Sequence, residues 1–123
     1  MEHSEDFLLK QIKGVAQVIA KILFKQDNFD YVLPANGNYS ADDNLFIELN
    51  KMLDENKINE AEDKLFANIN PASFKHMQIA LNFYQKLAAK PKTELEENNF
   101  SLEEVEQGFF DVLKLYNIKV ERK

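Results

Sequence analysis

The sequence predicts an all-α fold, one domain of five or six helices, on three observations. Apolar residues recur every three or four positions through most of the chain. No β-branched alternating run of strand length interrupts them. Only three Gly and three Pro occur in 123 residues, too few for the frequent turns of a β-sandwich. A length of 123 residues sets one domain as the expectation, spanning the whole of 1–123.

The first helix is expected from Ser4 to Lys25, with Ser4 as cap and Glu5 and Asp6 at the positive end of the helix dipole. Leu8, Ile12, Val15, Ala16, Ile19, Ile22 and Leu23 share one side of the wheel, and Lys10, Lys13, Gln17, Lys21 and Lys25 the other. Counting Leu9, Val18 and Ala20, the apolar arc is roughly 200° wide, broader than the stripe of an ordinary surface helix. Residues 27–41 have no period and carry Pro34, Asn36-Gly37-Asn38 and Ser40, the composition of a long loop. Its aromatics Phe29, Tyr31 and Tyr39 offer a means of packing it onto the helices.

A second helix follows, capped by Asp42 or Asp43, with Leu45, Leu49, Met52 and Leu53 inward. It stops near Asn56, a residue suited to the left-handed conformation after a helix end. Asn59 is the expected cap of a third helix that turns Ala61, Leu65, Phe66 and Ile69 inward. Pro71 suits the first turn of a fourth, from about Ala72 to Ala89, with Phe74, Met77, Ala80, Leu81, Tyr84, Leu87 and Ala88 on one side. After Pro91, a short turn at 93–98 precedes Phe100-Ser101-Leu102-Glu103-Glu104-Val105, the sharpest local signal in the chain. Ser101 and Glu104 form a capping box, and Phe100 and Val105 hold the positions of a hydrophobic staple. The last helix runs to about Tyr116, leaving 118–123 as a tail.

Composition removes several function classes. With no Cys there is no disulfide scaffold, thiolate metal site or catalytic thiol. A net charge of −6 argues against a phosphate-backbone binder, so no nucleic-acid partner is expected. The most apolar stretch, Val15 to Phe24, is broken by Gln17 and Lys21 and preceded by acids, unlike a secretory signal or a spanning helix. The expected location is the cytoplasm, with no integral membrane segment.

Chemistry-bearing patterns are equally scarce. His3 and His76 are the only histidines, and neither has a His or carboxylate at i+4 to make a ligand pair. From Asp54, a calcium loop would need Gly at Asn59 and Glu at Leu65. Gly14, Gly37 and Gly108 are too scattered to cradle a phosphate, and no elbow motif surrounds Ser40, Ser73 or Ser101. No cofactor, metal or catalytic residue is therefore expected. What the pattern leaves over is apolar surface: Ile79 and Phe83 beside the main stripe of the fourth helix, and Phe110 and Leu115 flanking that of the last.

Asn56-Lys57-Ile58-Asn59-Glu60-Ala61-Glu62-Asp63-Lys64-Leu65, following Leu45, Leu49 and Met52, resembles one tetratricopeptide-type helical hairpin. Ala61 and Leu65 have its small-to-large spacing, whereas Asn56 and Asn68 stand where that family has small residues, and no second copy follows. More of the chain resembles a family of small, uncharacterised helical bacterial proteins. The resemblance rests on Ile12 to Phe24, Lys57 to Phe66, Ala80-Leu81-Asn82-Phe83-Tyr84 and Asn99 to Val105. It implies an all-helical fold and carries no activity. The architecture expected is a tetratricopeptide-like antiparallel array packed around the long first helix.

The functional expectation is a non-catalytic protein-interaction or adaptor module. Its candidate patch is Ile79, Phe83, Phe110 and Leu115, and the same surplus predicts a two-fold homodimer with Ile79 and Phe83 in the contact. One alternative is a small-ligand binder or enzyme with a dispersed polar pocket drawn from Tyr31, Tyr39, His76 and Tyr84. Another is a peripheral membrane protein that docks through the first helix, whose lysines line one face.

Overall fold

The structure, a computed structural model, describes residues 2–120, with side chains from Leu8 onward. The described residues form α1 (Glu2–Phe24), α2 (Ala41–Asp54), α3 (Ile58–Asn68), α4 (Phe74–Ala88), α5 (Lys92–Glu97) and α6 (Leu102–Leu115), and no strand. The all-α reading holds.

Local chemistry sets most of the boundaries. The capping box at Ser101 and Glu104 forms as the spacing requires, each side chain bonding the other residue's backbone N–H. A second box, not foreseen, opens α2. Ser40 is the cap, and Asp43 sits at its third position and accepts from the Ser40 N–H. Neither Asp42 nor Asp43 is therefore the cap. Ser73 rather than Pro71 starts α4, its hydroxyl accepting from the His76 N–H. Asn59 does not cap α3, which begins at Ile58; its amide donates instead to the carbonyl of Asn99 at 3.2 Å, across to the end of α5. Ser4 lies inside α1, not at its cap. Asn56 takes φ 61°, the left-handed conformation expected of it, and closes α2 so that α3 folds back. Fully buried Ala61 lets those two helices approach closely, and Lys64 pairs with Glu48 at 3.2 Å across them.

The centre of the molecule is α4 rather than α1. From Ile79 to Tyr84 every residue is buried, because α4 is covered by α1, α2 and α6. A helix buried all round must be apolar all round, and α4 has only Asn82 to accommodate there. The Asn82 amide donates to the Phe29 carbonyl at 2.9 Å. Three lysines, Lys10, Lys13 and Lys21, bar α1 from that place. It lies to one side and packs against α4 and α6 through Ile12, Ile19 and Ala20. Phe24 at its end stacks on Phe74 at the start of α4, centroids 4.5 Å apart, so the two helices run antiparallel.

The long loop from Lys25 to Ser40 is tied down at three consecutive residues, with the Asp30 carbonyl accepting from Gln78 at 2.7 Å between Phe29 and Tyr31. Phe29 is fully buried, its N–H donating to Gln85 Oε1 at 3.1 Å, and its ring meets Phe24 edge-on. Buried Tyr31 stacks on Phe46 of α2 at 4.5 Å. Tyr39 stays exposed. Of the tail, Ile118 and Val120 pack against the core, and 121–123 lie outside the described residues.

Candidate functional site

The apolar surplus emerges on α1, not on α4. Ile79 is 1 % exposed and Phe83 2 %, and Phe110 is also buried. Only Leu115 is half-exposed. The pair expected to form an outward ridge fills the core, because α2 covers the side of α4 that the wheel leaves beside its main stripe. The proposed docking patch is thereby corrected: three of its four members present no surface.

On α1, by contrast, Val18 is 56 % exposed and Ile22 66 %, one helical turn apart, with half-buried Val15 a turn before. Leu23 lies at the exposed edge of the same helix. Gly14, also on this side, has nothing within 4 Å of where a Cβ would stand. Lys10, Lys21 and Lys25, all exposed, line the ridge on its solvent flank. Between Leu8 and Gln26 the chain has four lysines and no acid. Residues 1–26 thus carry four bases against three acids, +1, while 27–123 carry eleven against eighteen, −7. The result is an aliphatic ridge on a lysine-bearing, acid-free stretch of an acidic chain.

Sequence reasoning missed Val18 and Ile22 as surface because it counted both with the inward arc. A signal was present: on the wheel Val18 falls between Gly14 and the Gln11–Val15 side, next to Lys25 and away from Ile12 and Ala20.

The four residues of the polar-pocket alternative divide three ways. Tyr31 and His76 come together with two carboxylates. Tyr31 donates to Asp43 Oδ1 at 2.6 Å, and His76 Nε2 lies 2.7 Å from Asp42 Oδ1. The Asn70 N–H donates to His76 Nδ1 at 3.0 Å, which leaves the proton on Nε2 and aims it at Asp42. The Tyr31 O–H, ahead of the Ser40 N–H, holds the Asp43 carboxyl below the usual carboxylate range, while burial and then the Asp43 bond push the Tyr31 hydroxyl up. The Tyr31 hydroxyl, both His76 nitrogens and both Asp43 oxygens are engaged in tying together the loop, α2 and the start of α4. Tyr39 stands apart. Tyr84 lies under Gly108 on the opposite side and donates to Glu62 Oε2 at 2.5 Å. Burial raises the Glu62 carboxyl, a rise that the Tyr84 bond opposes and the charges of Glu104, Asp63 and Asp111 reinforce.

Among the described residues no group of three or more His, Asp or Glu is placed to hold a metal ion, and no helix is long and apolar enough to cross a membrane. No curated protein and no solved structure matches the chain. The model of a family of unknown function matches residues 2–117.

Proposed function

The chain belongs to the family of unknown function DUF6483, and from that premise we propose that it is a non-catalytic docking module which engages an acidic protein segment through the outward face of α1. One observation carries the reading. Val18 and Ile22, both more than half exposed, form an aliphatic ridge within a stretch, Leu8 to Gln26, that holds four lysines and no acid in a chain of net charge −6. Covering an aliphatic side chain of this size contributes about 1.5–3 kcal/mol when burial is complete. Lys10, Lys21 and Lys25 add orientation and speed of encounter more than affinity. The complementary partner is a helix with an apolar stripe and an acidic border, laid along α1.

An enzymatic reading has less support, since the groups gathered at Tyr31 and His76 spend their hydrogen bonds on one another and on backbone. The test is affinity purification with wild type and with Val18→Asp/Ile22→Asp, followed by measured binding of the partner recovered. Expected are an acidic partner held by wild type, lost by the double variant and weakened at high salt, with both proteins melting at similar temperature. Equal recovery by both proteins would overturn the reading. So would flotation of the pure wild type on anionic vesicles, lost in the double variant, which assigns the ridge to a membrane surface instead.

A further inference from the structure

A separate groove of about 630 Å³ opens on the other side of α1, between its first half and the junction of α4 with α5. Its floor is apolar. Buried Ile12 and Phe109 form the bottom, and the small Ala16 and Ala88 face each other from α1 and α4, leaving the space that longer side chains would fill. Pro91, the residue that opens α5, stands among the lining residues at the α4–α5 junction. Among the described residues, the ionisable ones lining it are Lys13, Lys90 and Lys92, three cations in a chain of net charge −6. Lys90 pairs with Glu94 at 2.8 Å and Lys92 with Glu96 at 3.6 Å, both surface pairs of the kind that contribute little and exchange readily. Lys13 has no carboxylate partner among the described residues.

We propose that this groove binds a free single-chain carboxylate amphiphile, its alkyl chain on the Ile12–Phe109 floor and its carboxylate at Lys13. The volume lies within the range of about 300–1,000 Å³ typical of small-ligand sites. An uncharged alkyl chain would leave Lys13 without a counter-charge, and a small inorganic anion would leave the floor in water. A carboxylate joined to an alkyl chain satisfies both. The site is independent of the α1 ridge, since Lys13 and Ala16 occupy a different side of the helix from Val18 and Ile22.

The experiment is calorimetric titration of the full chain with sodium dodecanoate below its micelle-forming concentration. Sodium decanoate and dodecyltrimethylammonium chloride are run alongside. Saturable one-to-one binding of dodecanoate is expected, about tenfold weaker for decanoate with its two fewer methylenes, and at least tenfold weaker for the cationic amphiphile. Lys13→Glu should weaken dodecanoate about tenfold. Ala16→Phe and Ala88→Leu, each filling the groove, should abolish the heat while keeping the wild-type melt; having both keeps the test decisive if one fails to fold. Val18→Asp/Ile22→Asp should bind dodecanoate as wild type does, which separates this proposal from the docking reading. Absence of saturable binding would overturn it. Equal affinity for the cationic amphiphile, or unchanged binding in folded groove-filling variants, would do the same.

Discussion

Two glycines in helices carry opposite consequences. Gly14 sits in an α1 interior with open space around its missing Cβ, so Gly14→Ala gains helix propensity and meets nothing. It should stabilise the fold by about 0.5–1 kcal/mol. Gly108 faces the buried Tyr84 ring, and a Cβ there would lie 2.3 Å from the hydroxyl oxygen. That hydroxyl is held by Glu62 and has no route to solvent, so Gly108→Ala should cost about 1–3 kcal/mol despite the better propensity. Thermal melts of the two variants should move in opposite directions. At Asp43 the folded state prefers the charged form, because Tyr31 and Ser40 donate to it. A carboxyl held below its unfolded value stabilises at neutral pH, and that contribution is lost as pH falls below about 3.9 toward the folded value. Asp43→Asn should therefore melt lower than wild type at pH 7 and lose less further stability across the acid range. Parallel pH profiles of the two proteins would show that Asp43 contributes no such term.

At the level of the helix, the contrast to measure lies within α1. Ile19 is buried against the core and Ile22, three residues on, faces solvent. Ile19→Asp buries an unpaired charge and should unfold the protein, a cost of several kcal/mol. Ile22→Asp should leave circular dichroism and the melt close to wild type. Such pairs mark the boundary of what was legible in the sequence. Helix existence followed from periodicity, and the box at Ser101 and Glu104 from local spacing, because both depend on residues within one or two turns. The side of each helix that faces inward depends on which neighbours cover it. α1 and α4 both have apolar residues on more than one side, and the wheel ranks neither as central. The decisive fact was polar: three lysines keep α1 at the periphery, whereas Asn82 alone interrupts the apolar run from Ile79 to Tyr84. The docking ridge was hidden for that reason, and so was the groove, whose walls join Leu9 to Ala16 with Gln85 to Lys92, far apart in the chain.

For the molecule as a whole, one buried cluster joins residues from α1 to α6 with the loop aromatics, so the chain should melt in a single cooperative transition. Ile79 and Phe83 belong to that cluster. Ile79→Ala and Phe83→Ala should each cost about 2–5 kcal/mol, with the sedimentation mass of the folded fraction unchanged. A change of mass without a loss of stability would return these residues to a contact between chains.

The tie between the loop and α4 has a kinetic corollary. Phe29 lies in no helix, yet it is fully buried, its N–H donating to Gln85 in a part-buried bond and its carbonyl accepting from Asn82 in a buried one. Next to it, the Asp30 N–H reaches only the Asn28 side chain at the surface. Loop amides ordinarily exchange with solvent through small local openings, whereas this one must wait for α4 to release it. In deuterated water the Phe29 amide should persist alongside those of the α4 interior, while Asp30 is lost orders of magnitude sooner. A backbone position without regular structure thus becomes a clock for the opening of the core.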